Sequence, residues 1–208
     1  VGYAVRSEKE AIDLSIKDHV IKTSMLDARF ICGSKKIFKD TMYKFSSEVR
    51  TSGYDLLKDK IAEREEKLVD LGYDYFRNEP NIKESEGSLR DINLIFWALK
   101  IFKISKRKQT SKLLTQNEKK KLTESLEFLL LIRCLLHYEA RRSCDKLTFD
   151  FQHQISKIIF SRKTKNKSLQ DSVEKMMRNY FFQIRKTKNL AHIIVRLIKE
   201  NFEQNTHI

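Results

Sequence analysis

Proline occurs once and glycine five times in 208 residues, so the chain has few points at which a helix must stop. Strand-like alternation is equally scarce, and helix becomes the default between those points. Three cysteines, Cys32, Cys134 and Cys144, are odd in number and show no Cys-x-x-Cys spacing. That excludes a disulfide framework and a zinc knuckle and fits a reducing compartment, the cytoplasm. No apolar run approaches the roughly 18 to 20 residues of a membrane span, and no signal-peptide pattern opens the chain. Gly-x-x-x-x-Gly-Lys, His-Glu-x-x-His, Gly-x-Ser-x-Gly and Gly-x-Gly-x-x-Gly are all missing, so phosphate-loop, zinc-protease, serine-hydrolase and dinucleotide readings have no anchor. Asp-x-Asp is missing too. Two carboxylates one residue apart on a strand point the same way and can hold the metal ions that carry a nucleoside triphosphate. Without them, no catalytic residue and no metal ligand is assigned.

What is abundant is basic charge: 42 Lys plus Arg against 28 Asp plus Glu, a net charge of +14. Such a balance suits a polyanionic partner. It equally suits a solvated lysine-rich surface, because the bases are interleaved with acids along most of the chain. The length allows one large domain, or a small one with part of another. Val1 opens the chain in the middle of what reads as a strand, without an initiator Met, so the sequence reads as cut from something longer.

The opening Val1 to Arg6 alternates like a strand, and Ser7 with Glu10 has capping-box spacing for a helix. That helix carries Ile12, Ile16, Leu26 and Phe30 and is expected to run to Gly33. Phe38, Met42 and Phe45 mark a second helix, Gly53 an interruption, and Leu56 to Leu71 a third helix stopped by Gly72. Tyr73 to Ser88 holds the single proline and one of the five glycines, with another, Gly72, just before it, and is the best linker or functional loop. Ile92, Ile95, Phe96, Leu99 and Phe102 mark the next helix, which gives way to a basic loop at Lys103 to Lys112. Thr115 and Glu118 form another capping box, before a face of Leu122, Leu126, Leu129, Arg133 and Leu136. A polar stretch, Ser161 to Ser168, reads as a loop before a last helix over about Leu169 to Glu203 with Val173, Met177, Tyr180, Ile184, Ala191, Ile194, Ile198 and Phe202 in step. Long helices with apolar stripes pack on one another, so the fold class is mainly α, a helical bundle.

Two constellations could carry chemistry. Gly87 and Ser88 make a tight turn into the helix at Leu89, with Lys83, Arg90 and Asp91 close in sequence; free N–H groups at that helix start could hold an anion. The same residues could equally form a capped helix whose Arg90 and Asp91 make ion pairs. Arg133 and His137 share a face four residues apart, with Arg142 beyond, and a charged pair on a largely apolar face needs a partner such as Asp145 or Asp150. A lone histidine beside an arginine makes no metal site.

In order along the chain, these segments resemble the bacterial PII uridylyltransferases. Val1-Gly2-Tyr3-Ala4-Val5-Arg6 is similar to that family's Val-Gly-His-Ser-Val-Arg strand, and Ser24 to Gly33 to the helix that follows it. Asn78-Glu79-Pro80-Asn81-Ile82-Lys83 and Gly87-Ser88-Leu89-Arg90-Asp91-Ile92 resemble its Asn-Leu-Glu-Pro-Asn-x-Lys and Gly-Gly-Leu-Arg-Asp-Ile. Arg133 to His137, Arg142, Leu147 to Asp150 and Val173 to Tyr180 continue the match, with Ser88 and Lys146 as departures. The resemblance implies an enzyme that moves a uridylyl group from UTP to the PII signal protein with Mg2+. It implies that residues 1–80 are the C-terminal strand and helices of a nucleotidyltransferase α+β module and residues 88–205 a helical domain. On this reading Lys83, Gly87, Arg90 and Asp91 meet nucleotide or substrate, and Arg133, His137 and Arg142 are structural or cleft residues. The metal-binding carboxylates would lie before this segment, and a His-Asp (HD) domain and ACT domains after it. The alternatives are a basic helical module that binds nucleic acid or protein, or an inert remnant of a decayed or split gene; the resemblance makes nucleic acid the less expected partner.

Overall fold

The computed structural model describes residues 4–72, 78–106, 113–160 and 169–203. Seven helices run through them: α1 (Glu8–Lys17), α2 (His19–Leu26), α3 (Lys35–Asp70), α4 (Leu89–Lys106), α5 (Gln116–Ala140), α6 (Phe149–Phe160) and α7 (Leu169–Glu203). Among the described residues there is no strand; the one ladder-like pairing is an isolated antiparallel bridge between Asn81 and Lys146. The expected opening strand is therefore not found at Ala4–Arg6, and Val1–Tyr3 lie outside the described residues. The expected loop Ser161 to Ser168 and most of Lys103 to Lys112 also lie outside them, although α4 continues through Lys106.

Both capping boxes form. Ser7 Oγ accepts from the Glu10 N–H, whose carboxylate returns to the Ser7 N–H, and Thr115 with Glu118 does the same at α5. The long first helix is instead two. Asp18 is extended (φ −127, ψ 115), and its carboxylate takes the N–H groups of Val20 and Ile21 at 2.6 and 3.1 Å. A short acceptor that satisfies the next turn's donors offers the backbone an alternative to continuing the helix. Gly33, at φ +95, comes after the helix has ended and leads into α3, where Ser34 Oγ accepts from the Ile37 N–H.

Gly53 does not interrupt anything: α3 is continuous from Lys35 to Asp70. A Cβ at Gly53 would meet Ile101 Cγ2 and Val49 Cγ1 at 3.0 Å and Ser105 Oγ at 3.2 Å. The glycine marks a close approach of α4 to α3, which Ser105 Oγ also fastens by donating to the Val49 carbonyl at 3.1 Å. Gly72, by contrast, does end α3, at φ +77 with its N–H on the Val69 carbonyl.

The chain divides into two compact units, each made of two stretches. The first comprises Val1–Ala62 and Phe96–Thr110. Its core includes Leu26, Phe45, Val49, Leu56, Leu57, Ala98 and Ile101. Inside it the buried Lys22 ammonium is neutralised by Glu48 at 3.2 Å and accepted by Ser52 at 2.8 Å, so its burial leaves no stranded charge. Asp27 likewise takes the Trp97 indole N–H at 2.9 Å and the Lys100 ammonium at 2.5 Å.

The second unit comprises Glu63–Ile95 and Ser111–Ile208, in which α5, α6 and α7 pack on one another. The buried stripe of α7 is Met176, Tyr180, Ile184, Thr187, Ala191, Ile194 and Ile198, so Met176 rather than Met177 faces the core. A fully buried aliphatic side chain contributes about 2 kcal/mol. The exposed pairs Arg178–Glu174 and Arg196–Glu200 on the same helix contribute a few tenths each, roughly. Packing, not surface charge, therefore holds α7. No expectation covered α6, whose N-terminal side instead secures the loop described next. Removing the α5 cap with Thr115→Ala is expected to cost about 1 kcal/mol, read as a lower urea midpoint at unchanged m.

Candidate functional site

The loop from Asn78 to Ser88 is polar in sequence but fixed in structure. Asn81 Oδ1 accepts the N–H groups of Lys83 and Glu84 at 3.0 and 2.8 Å, and its own N–H donates to Ser85 Oγ at 3.0 Å. Neighbouring chain sews the loop down: Ile82 N–H reaches the Asp145 carbonyl and Leu147 N–H the Pro80 carbonyl, both at 2.8 Å. Glu79 accepts the Phe149 N–H at 2.9 Å and pairs with Lys146 at 3.2 Å; these contacts, the backbone one foremost, hold its carboxyl below the usual range. From α6, the Gln152 amide donates to the Asn78 and Leu147 carbonyls.

The loop turns into α4 through Gly87, at φ +77. A Cβ there would lie 2.3 Å from the Ile184 carbonyl oxygen, so the turn admits no side chain on grounds of both conformation and space. Ser88 is buried without a left-handed φ, and its hydroxyl lies between the Asn81 carbonyl and the Tyr180 hydroxyl at 3.4 and 3.5 Å. A serine in place of the family's second glycine thus imposes no backbone strain. Burial pushes the Tyr180 phenol up to about 12, so it stays a neutral hydrogen-bonding group.

The N–H groups expected to be free for an anion are occupied. Gly87 donates to the Asp91 carboxylate, Ser88 to Ser85, Leu89 to Ile82, Arg90 to Lys83, and Asp91 and Ile92 to Ser88. The anion at this helix start is Asp91 itself, which is 5 % exposed. Its counter-ion is Arg64 of α3, which no sequence signal had singled out. Arg64 donates Nε to Asp91 Oδ1 at 2.6 Å and Nη2 to Oδ2 at 3.2 Å, and its remaining donors reach the Glu84 and Ser85 carbonyls at 2.8 and 3.0 Å. A usable signal existed. Leu57, Ile61 and Arg64 follow the buried stripe of α3, and a cation on such a stripe requires a partner.

Lys83 and Arg90 stand on this fixed frame, about one third exposed, and both reach Glu84: Lys83 Nζ at 3.4 Å, Arg90 Nε at 3.1 and 3.3 Å. The second cluster closes on Asp145, one of its two expected partners. Arg133 Nε lies 2.7 Å and His137 Nε2 3.3 Å from Asp145 Oδ1, while Arg142 is exposed. Burial raises the Asp145 pKa, but the hydrogen bonds from Arg133 and His137 outweigh it and hold the carboxyl below the usual range. Glu86 behaves oppositely. Burial, then Asp91, push it above the usual range, against His192 at 3.4 Å; Lys188 lies on the same oxygen at 3.3 Å. His192 of α7 thus has Glu86 as its partner.

A cavity of about 120 Å³ beside the loop is lined by Leu68, Leu71, Glu79, Asn81, Ser85, Glu86 and Lys146, and by neither Lys83 nor Arg90. Among the described residues no three His, Cys, Asp or Glu side chains gather to hold a metal ion. No described helix is long and apolar enough to cross a membrane.

Fold and loop together define the class: an α-helical domain built around one fixed polar loop. The chain belongs to the GlnD PII-uridylyltransferase family, whose model matches residues 55–195. It is 30% identical over 206 residues to the bifunctional uridylyltransferase/uridylyl-removing enzyme of Erythrobacter litoralis (strain HTCC2594), covering 97% of this chain and 22% of that relative. The chain thus spans less than a quarter of the relative's length. No solved structure matches it.

Arg64→Met would strand the buried Asp91 charge and two carbonyls, and is expected to cost about 3 to 5 kcal/mol in urea unfolding. Arg64→Lys should recover only part, because an ammonium restores the charge but not the fork. For Asp145 the folded pKa is depressed, so its contribution is present above the unfolded value of about 3.9 and is lost as pH falls through the folded one. Asp145→Asn should lower stability at neutral pH by about 1 to 2 kcal/mol and flatten the acid limb of a pH series of urea melts.

Proposed function

We propose that this chain supplies one wall of the cleft in an enzyme that transfers a uridylyl group from UTP to the PII signal protein. The observation that carries the reading is the fixed loop, which presents Lys83 and Arg90, each about one third exposed, on either side of Glu84 and on a frame locked by Arg64 and Asp91. Family membership supports it. Cations held in place before substrate arrives stabilise the charge of a transferring phosphoryl group without reorganising for it. Lys83 and Arg90 would face the triphosphate or the substrate. Gly87 and Asp91 act by shaping the loop, and Arg133 and His137 by holding Asp145 under it.

Magnesium, with UTP, would on this reading be held by carboxylates outside the described residues. In this reading residues 1–80 complete a nucleotidyltransferase module, residues 88–205 form the helical domain beside it, and the HD and ACT domains belong to other parts of the polypeptide. A nucleic-acid module is disfavoured by the family match.

Placed in a longer polypeptide that carries this segment and the upstream carboxylates, Arg90→Ala is expected to lower PII uridylylation at least about tenfold. Unchanged turnover together with unchanged UTP affinity would sink the assignment.

A further inference from the structure

Three arginine–carboxylate pairs surround the loop, and they differ in depth. Arg64–Asp91 is sealed, both side chains below 10 % exposure, and Arg133–Asp145 is two-pronged with its carboxylate 18 % exposed. The third is slightly more open than the second: Arg90 and Lys83 are 37 % and 35 % exposed against 30 % for Arg133, and Glu84, the carboxylate that reaches both, is 21 % exposed. Glu84 reaches both cations at 3.1 to 3.4 Å, the long end of ion-pair contact.

The backbone beneath is not free to adjust. The Glu84 and Ser85 carbonyls are held by Arg64, the Lys83 and Glu84 N–H groups by Asn81, and the Arg90 N–H by the Lys83 carbonyl at 3.1 Å. Two cations are therefore rooted on a pinned backbone around one shared anion. Open pairs of this kind add little stability, so evicting Glu84 is cheap. A phosphate group carries more charge and more acceptor oxygens than one carboxylate, and can engage guanidinium and ammonium together.

We propose that Lys83 and Arg90 form an oxyanion site for phosphate or pyrophosphate groups, and that Glu84 is its built-in place-holder, displaced when such a group binds. This rests on the reading of Lys83 and Arg90 as polyphosphate contacts and adds the residue that gates them. Glu84→Gln keeps the size of the side chain and leaves the backbone carbonyl to Arg64, so the frame survives.

The test is an amide chemical-shift titration of the 208-residue chain with inorganic pyrophosphate at constant ionic strength. Glu84→Gln is expected to bind about fivefold more tightly than the parent, with shifts centred on Lys83 to Arg90. The double variant Glu84→Gln/Arg90→Ala should lose the gain. Glu174→Gln, which frees Arg178 from a more exposed pair on α7, should leave the parent affinity unchanged. Equal affinity in Glu84→Gln and parent, a gain that persists in the double variant, or no binding by any variant each overturns the proposal. Uridylyl transfer is read separately. Tighter binding with transfer indifferent to Arg90 would count against the functional reading alone, and lost transfer with no Glu84 effect against this proposal alone.

Discussion

Arg64 and Asp91 come from helices separated by the loop they fix, and neither could be buried without the other. An ion pair taken out of water is favourable only when its remaining lone pairs and protons are satisfied. Here they are: the guanidinium spends its other donors on the Glu84 and Ser85 carbonyls, and the carboxylate takes the Gly87 N–H as well. Each of these contacts pins a different part of one turn. The position of Gly87 against Ile184, the start of α4 and the aim of Lys83 and Arg90 all follow from that closure.

Carboxylates set the electrostatics of this chain more than its net charge of +14 does. Glu79, Glu84, Asp91 and Asp145 each hold a cation around the loop. The excess of lysine is felt elsewhere, in contacts such as Lys186 over the Phe182 ring and Lys175 over the Phe160 ring. A composition count sums such charges without regard to partners, whereas the local field depends on which of them remain uncompensated.

The two capping boxes, the period of α7 and the stop at Gly72 were legible because each is a local signal: a side chain acting within one turn, or a repeat within one helix. The Arg133–His137 pair was legible as spacing, and its partner Asp145 lies only a few residues on. One local cap, Asp18, escaped as well; the rest of what escaped depended on other parts of the chain. Asp18 cuts a helix that apolar spacing alone would continue, and Gly53 looks like a breaker until Ile101 and Ser105 are seen against it. Arg64 is surrounded in sequence by Glu63, Glu65, Glu66 and Lys67, which hide it in a charged run. Glu84 drew no notice, because a glutamate beside a lysine is ordinary until Arg90 arrives on its other side.

Each compact unit is assembled from two separated stretches, 1–62 with 96–110 and 63–95 with 111–208. No single cut of the polypeptide therefore separates the two units with both intact: a piece ending at Ala62 lacks Ala98, Ile101 and Phe102 from its core, and a piece starting at Ser111 lacks the loop and the Arg64 that shapes it. Gene fusion or recombination that respects this architecture must carry both crossings of the chain together. The natural unit of inheritance is then the interleaved pair, not either domain-sized half.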